Sequence, residues 1–238
     1  MRALHSRWTM ATLIAVVASP ACGGVRTAVT MPPSPAALST AELEALYLAR
    51  TDSARTRFTE ADVRFMTGMI SHHAQALEMA GLAPTRGPSL SVRTLTARTI
   101  NAQSDEIALM QQWLQDRGQP VPEVYTAGVG STVRVPDGGM RMPGMLTARQ
   151  MRDLATARGP DFDRLFLTYM IQHHGGAVTM VHDLFATDGA ALDDVVFKVA
   201  SDIQVDQTTE IARMERMLTE IARMERNPGA SPATSGRR

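Results

Sequence analysis

Two stretches of this chain repeat each other without a gap. Asp62-Val-Arg-Phe65-Met-Thr-Gly-Met69-Ile70-Ser-His72-His73-Ala-Gln-Ala76-Leu-Glu-Met79 matches Asp163-Arg-Leu-Phe166-Leu-Thr-Tyr-Met170-Ile171-Gln-His173-His174-Gly-Gly-Ala177-Val-Thr-Met180, each position 101 residues after its counterpart. Phe65, Met66, Met69, Ile70, His73, Leu77 and Ala80 fall at three- and four-residue steps, the spacing that lines one face of a helix. Each copy is followed by a second matching segment, Gln103-x-x-Glu106-Ile107-x-x-Met110 and Gln207-x-x-Glu210-Ile211-x-x-Met214. Each half therefore reads as a helical hairpin. A single hairpin cannot bury its apolar stripe, so two of them are expected to fuse into one four-helix bundle.

Local signals place the ends. Thr59-Glu-Ala-Asp62 has the form of a capping box, and Gly159-Pro160-Asp161 supplies a break, a first-turn proline and an early acid. The returning helices are expected over Ser89–Arg117 and Ala190–Arg226, with short helices at Thr40–Thr51 and Thr147–Arg158. Gly118 to Thr147 is rich in proline and glycine, a length that suits a long crossover between hairpins. The expected fold is all-α, a four-helix bundle over 41–226 with repeats at about 59–117 and 160–226. Asp62 and Asp163 are assigned to capping. Glu-Ile-Ala-Arg-Met-Glu-Arg occurs at 210–216 and again at 220–226, which reads as a local duplication lengthening a solvated helix end.

The termini read differently. Arg2 and Arg7 precede an apolar run from Met10 to Ala18, followed by Ser19-Pro20-Ala21-Cys22-Gly23-Gly24. This is the pattern of a secretory signal over 1–22, and the run is too short to span a bilayer. Cys22 is the lipidated first residue of a bacterial lipoprotein, or it flanks an ordinary cleavage site. Small neighbours favour lipidation, whereas Ser19 stands where an aliphatic residue is usual. Residues 23–40 read as a flexible linker, and 227–238 as a disordered tail. The predicted location is the periplasm or cell envelope, lipid-anchored through Cys22.

With 24 basic and 24 acidic residues, bulk charge gives no reason to expect nucleic acid as a partner. A single cysteine leaves no intrachain disulfide and no cysteine-rich metal site. The chemistry rests instead on His72-His73 and His173-His174. Adjacent helical residues point about 100° apart, so each pair sends one ring inward and the other toward a neighbouring helix or solvent. Met69 and Met170 lie one turn before His73 and His174, which sets thioether beside imidazole. Thioether selects Cu(I), and imidazole accepts Cu(II) as well. Methionine at helical spacing also serves as flexible core packing, and a buried histidine can be merely structural. Met140, Met142 and Met145 in the connection either capture Cu(I) or tuck against the bundle.

A ferritin-type di-iron centre needs Glu three residues before His, and neither pair has it. Glu106 and Glu210 match across the repeat; they supplement a site or, the blander reading, pair with surface arginines. No Gly-x-Ser-x-Gly or phosphate loop is present.

Met-Ile-x-His-His-x-x-Ala-x-x-Met, found twice and each time followed by Gln-x-x-Glu-Ile-x-x-Met, resembles the domain-of-unknown-function 305 family. The resemblance runs from Asp62 to Leu218 and includes Met-Pro-Gly-Met and the Phe-Asp-x-x-Phe entry to the second His-His helix. It implies a ferritin-like bundle in an exported bacterial protein, with CopM-type relatives that bind copper in the periplasm. The ligands it implies are Met69, His72, His73, Met170, His173 and His174, with loop methionines near Met142. Gly68, opposite Tyr169, departs from a position where that family often carries methionine. The functions to separate are copper sequestration or transfer, with a copper transporter or chaperone as partner; a ferritin-like metal-dependent oxidoreductase; and a structural module of the envelope without metal.

Overall fold

The computed structural model describes residues 39–125, 132–134 and 142–227. Six α-helices occur among them: α1 (Thr40–Thr56), α2 (Glu60–Gly81), α3 (Leu90–Asp116), α4 (Ala148–Thr156), α5 (Gly159–Phe185) and α6 (Asp194–Arg226). Two short strands, β1 (Glu123–Tyr125) and β2 (Thr132–Arg134), pair antiparallel in the long connection. Helices α2 and α3 pack as one hairpin, α5 and α6 as the other, and α2 lies against α5. The fold is the all-α, ferritin-like four-helix bundle with a crossover. The strand pair is an addition that apolar periodicity did not reveal. Among the described residues, no helix is long and apolar enough to cross a membrane.

The core consists of two clusters, each drawing on both hairpins. One joins Phe65, Met69 and Ile70 of α2 to Val181 and Leu184 of α5, with Ile107, Trp113, Val196 and Ile203 from the outer helices. The other joins Met79 and Ala80 to Phe162, Phe166 and Met170, with Leu95 and Met214. The first half of α2 thus meets the second half of α5, and the reverse. The four histidines, midway along both helices, fall between the two clusters.

Buried aspartates tie the hairpins together. Thr59 and Asp62 form the expected capping box at the start of α2. Asp62, fully buried, also accepts from Ala191 N at 2.7 Å in the turn before α6. Ala191 sits at φ 55°, which ends the turn and delays α6 to Asp194, four residues after the expected Ala190. Asp163 does not cap its own helix. Its carboxylate accepts from Ser89 N at 3.1 Å, the residue that starts α3 in the other hairpin. Asp193 caps α6, accepts from Trp113 Nε1 at 3.1 Å and pairs with Arg117 at 2.6 Å. Asp62→Ala removes a cap and strips the acceptor from a buried N–H. It is expected to cost about 2 kcal/mol, read as a lower urea midpoint at unchanged m; an unmoved midpoint would deny the tie any weight.

Candidate metal centre

Helix geometry puts His72 and His173 on the facing sides of α2 and α5. Their ring centroids lie 3.8 Å apart at an interplanar angle of 38°. His73 and His174, about 100° further round each helix, turn outward to α3 and α6. There His73 Nε2 donates to Glu106 Oε2 at 2.7 Å, and His174 Nε2 donates to Glu210 Oε2 at 2.8 Å. All four imidazoles have no solvent exposure. The outer pair therefore faces neighbouring helices, and neither ring reaches solvent. Glu106 and Glu210 do not pair with surface arginines as expected. The hairpin registers bring each carboxylate onto a buried imidazole, which needs a polar partner more than an exposed guanidinium does.

Burial sets the protonation. The His72 imidazole is pushed down to about 3, first by desolvation and then by neighbouring His73. His173 is held well below its ordinary range by desolvation, then by His72. His174 is lowered by desolvation, against which its bond to Glu210 acts in the opposite direction. The facing pair, His72 and His173, is thus neutral at physiological pH.

The Met-Pro-Gly-Met turn of the connection closes over this pair. His72 Nε2 lies 3.0 Å from the Pro143 carbonyl, which can only accept, so Nε2 carries the proton and Nδ1 the lone pair. Gln75 brackets Leu146, receiving its N–H at 2.8 Å and donating to its carbonyl at 3.1 Å. Gln172 donates to Gly144 O at 3.1 Å. The turn approaches α5 backbone to backbone. A Cβ on Gly176 would lie 2.0 Å from Pro143 O, and Gly144 itself has φ 75°. Met142 is half-buried, and its Sδ lies 3.4 Å from where a Cβ on Gly68 would be, one turn before His72. Sulfur thus stands over the position where the helix supplies none.

Of the residues singled out by sequence, His72, His73, His173, His174, Met69 and Met170 are fully buried in the bundle. Met69 and Met170 also belong to the apolar clusters, one in each. Met142 and Met145 are half-buried in the turn. Met140 and Cys22 lie outside the described residues, as do 1–22, most of the linker and the tail beyond Asn227. Pro143, Gly144, Gly176, Gln75 and Gln172 were not anticipated.

One property of the rings points to a ligand. His72, His73 and His174 each have one nitrogen fixed by a carbonyl or carboxylate, and their buried Nδ1 atoms have no partner. Neither nitrogen of His173 has one. Metal-binding histidines are oriented in this way, the remote N–H held and the other lone pair free. Among the described residues, no group of three or more His, Cys, Asp or Glu is arranged to hold a metal ion. A site built on these rings would therefore need donors of another kind, such as thioether sulfur, a carbonyl or water.

A ferritin-like bundle with a buried histidine layer under a methionine turn defines the class. The chain belongs to the family described as domain of unknown function DUF305, whose model matches residues 62–218. Solved structures agree. A DUF305 protein from Streptomyces coelicolor, described as secreted, is 27% identical over 68% of this chain and 94% of its own, with TM-score 0.58. A DUF305 fragment from Deinococcus radiodurans is 31% identical over 68% of this chain and 98% of its own, with TM-score 0.57. CopM in its Cu(I)-bound form is 28% identical over 67% of this chain and 96% of its own, with TM-score 0.51. No curated protein matches the chain.

Proposed function

We propose that this protein is exported and binds copper for sequestration or transfer, through the His72/His173 layer and the sulfur atoms around it. The observation that carries the reading is the set of buried imidazole nitrogens without partners. Leaving a polar atom unpaired in a core costs roughly 1–3 kcal/mol, and a bound cation would offset that cost at several atoms together. The donor set decides the metal. Neutral imidazole with thioether from Met142, Met145, Met69 or Met170 favours Cu(I), and the imidazoles alone also accept Cu(II). CopM, similar across two thirds of this chain, is known in both Cu(I)- and Cu(II)-bound forms.

Export is supported by the amino-terminal signal pattern and by the Streptomyces relative described as secreted. Anchoring through a lipidated Cys22 belongs to the same reading, as does delivery to or from a copper transporter or chaperone. An oxidoreductase centre is less well served, because neither histidine pair has the Glu three residues before His that a ferritin-type di-iron centre uses.

Elemental analysis after loading with Cu(I) and Cu(II) tests the proposal. The wild-type protein is expected to retain copper that the His72→Ala/His73→Ala/His173→Ala/His174→Ala variant loses. Equal retention by both would remove the histidine layer from the function. Selective loss of Cu(I) in Met140→Leu/Met142→Leu/Met145→Leu would move the site to the turn.

A further inference from the structure

A cavity opens on the outer side of the carboxylates that hold His73 and His174. It lies between α3 and α6, has a volume of about 150 Å3, and its lining includes Arg98, Gln103, Glu106, Asp206, Gln207 and Glu210. About 10–15 Å3 suffices for one water, so there is room for an ion with part of its hydration shell.

Two independent features mark the cavity as more than a gap. The first is the pair of glutamines. Gln103 is 2% exposed and neither of its amide atoms has a partner; Gln207 is 3% exposed and its Oε1 has none. Both side chains line the cavity. The second is charge. Among the described residues, Glu106 and Glu210 form ion pairs with histidine alone, each through Oε2, which leaves a second carboxylate oxygen on each. Asp206 is in no ion pair among the described residues, and its carboxyl is held above the usual range by partial desolvation, then by Glu106, Asp202 and Glu210. Arg98 shares the lining but forms no ion pair with the three among the described residues.

We propose that the α3–α6 cavity binds a hydrated divalent cation of the oxygen-preferring class, through Asp206, the outward oxygens of Glu106 and Glu210, and the amide oxygens of Gln103 and Gln207. Carboxylate and amide oxygen are the donors of magnesium, calcium and manganese. No thioether and no imidazole lines the cavity, so its preference is opposite to that of the histidine layer. The carboxylates are not close enough to form an inner-sphere group by themselves. The ion therefore keeps several waters, as small divalent cations do in sites built on one or two carboxylates. The proposal stands whether or not copper binds at the histidines.

Manganese(II) is the probe, titrated into the full chain while the electron paramagnetic resonance signal of free aqueous Mn(II) is followed. Saturable binding is expected, weakened by at least about tenfold in Asp206→Asn and in Gln207→Leu, displaced by excess calcium or magnesium, and retained in His72→Ala/His173→Ala. Asp206 is exposed, so Asp206→Asn keeps the fold, checked by far-ultraviolet circular dichroism. Absence of saturable binding, or equal binding by Asp206→Asn, overturns the proposal. Loss of Mn(II) in the His72→Ala/His173→Ala variant does so too, because the ion would then sit on the imidazoles. Copper retention is measured separately on the same proteins, so failure of one reading is visible apart from the other.

Discussion

Gly176→Ala is expected to lift the Met142–Leu146 turn off the bundle and to weaken copper retention by about 10- to 100-fold, the range seen when groups that orient metal ligands are lost. The added methyl would lie 2.0 Å from Pro143 O, 2.4 Å from Pro143 C and 2.6 Å from the Cα of Gly144. All three are backbone atoms, so no side-chain rotation relieves the clash. If the turn yields, the Pro143 carbonyl leaves His72 Nε2, the tautomer of that ring is no longer fixed, and the Met142 sulfur withdraws from α2. Gly175→Ala provides the control, since its methyl meets nothing within 4 Å and alanine favours helix by up to about 1 kcal/mol. Competition for Cu(I) against a chromogenic chelator measures both variants. If Gly176→Ala bound copper as tightly as Gly175→Ala, the turn would have no part in the site.

The position also shows what the sequence could and could not reveal. Gly176 is the counterpart of Gln75 in the first copy. One residue grips the turn through its amide, at Leu146, and the other makes way for it at Pro143. That division of labour depends on where the crossover lands, which no local pattern encodes. The helices were legible because their apolar spacing is local, and the Thr59–Asp62 box because its partners are three residues apart. That one ring of each pair turns inward followed from helix geometry. The apolar stripe had included His73, however, and only the packing of α2 on α5 shows that His72 and His173 face each other. Glu106 and Glu210 were visible as a matched pair, yet their partners are 33 and 36 residues away. Which face of the returning helix they occupy is fixed by hairpin register, so the surface reading could not be rejected in advance. Asp163 was misassigned for the same reason, since its partner Ser89 is 74 residues distant.

Stability of the metal-free protein is expected to fall as the pH drops below about 6.5, the ordinary histidine value. In the unfolded chain these rings take up protons near that pH, whereas the folded state keeps His72 neutral down to about 3. His173 and His174 are depressed by burial in the same direction. The unfolded state therefore binds more protons throughout this window, and stability must decline as pH falls. At pH 5, about 1.5 units below the unfolded value, each ring kept neutral costs on the order of 2 kcal/mol. Exposed carboxylates mostly titrate lower, so a comparison of urea midpoints at pH 7 and pH 5 isolates the histidines. His72→Leu removes one titrating group and should flatten the dependence by about one proton's share. A wild-type profile that is level from pH 7 to 5 would mean that the rings are charged or hydrated in the fold, contrary to their complete burial. Copper should oppose the acid effect, because a ring that donates its lone pair to the ion has none for a proton, and the folded state alone holds those lone pairs together.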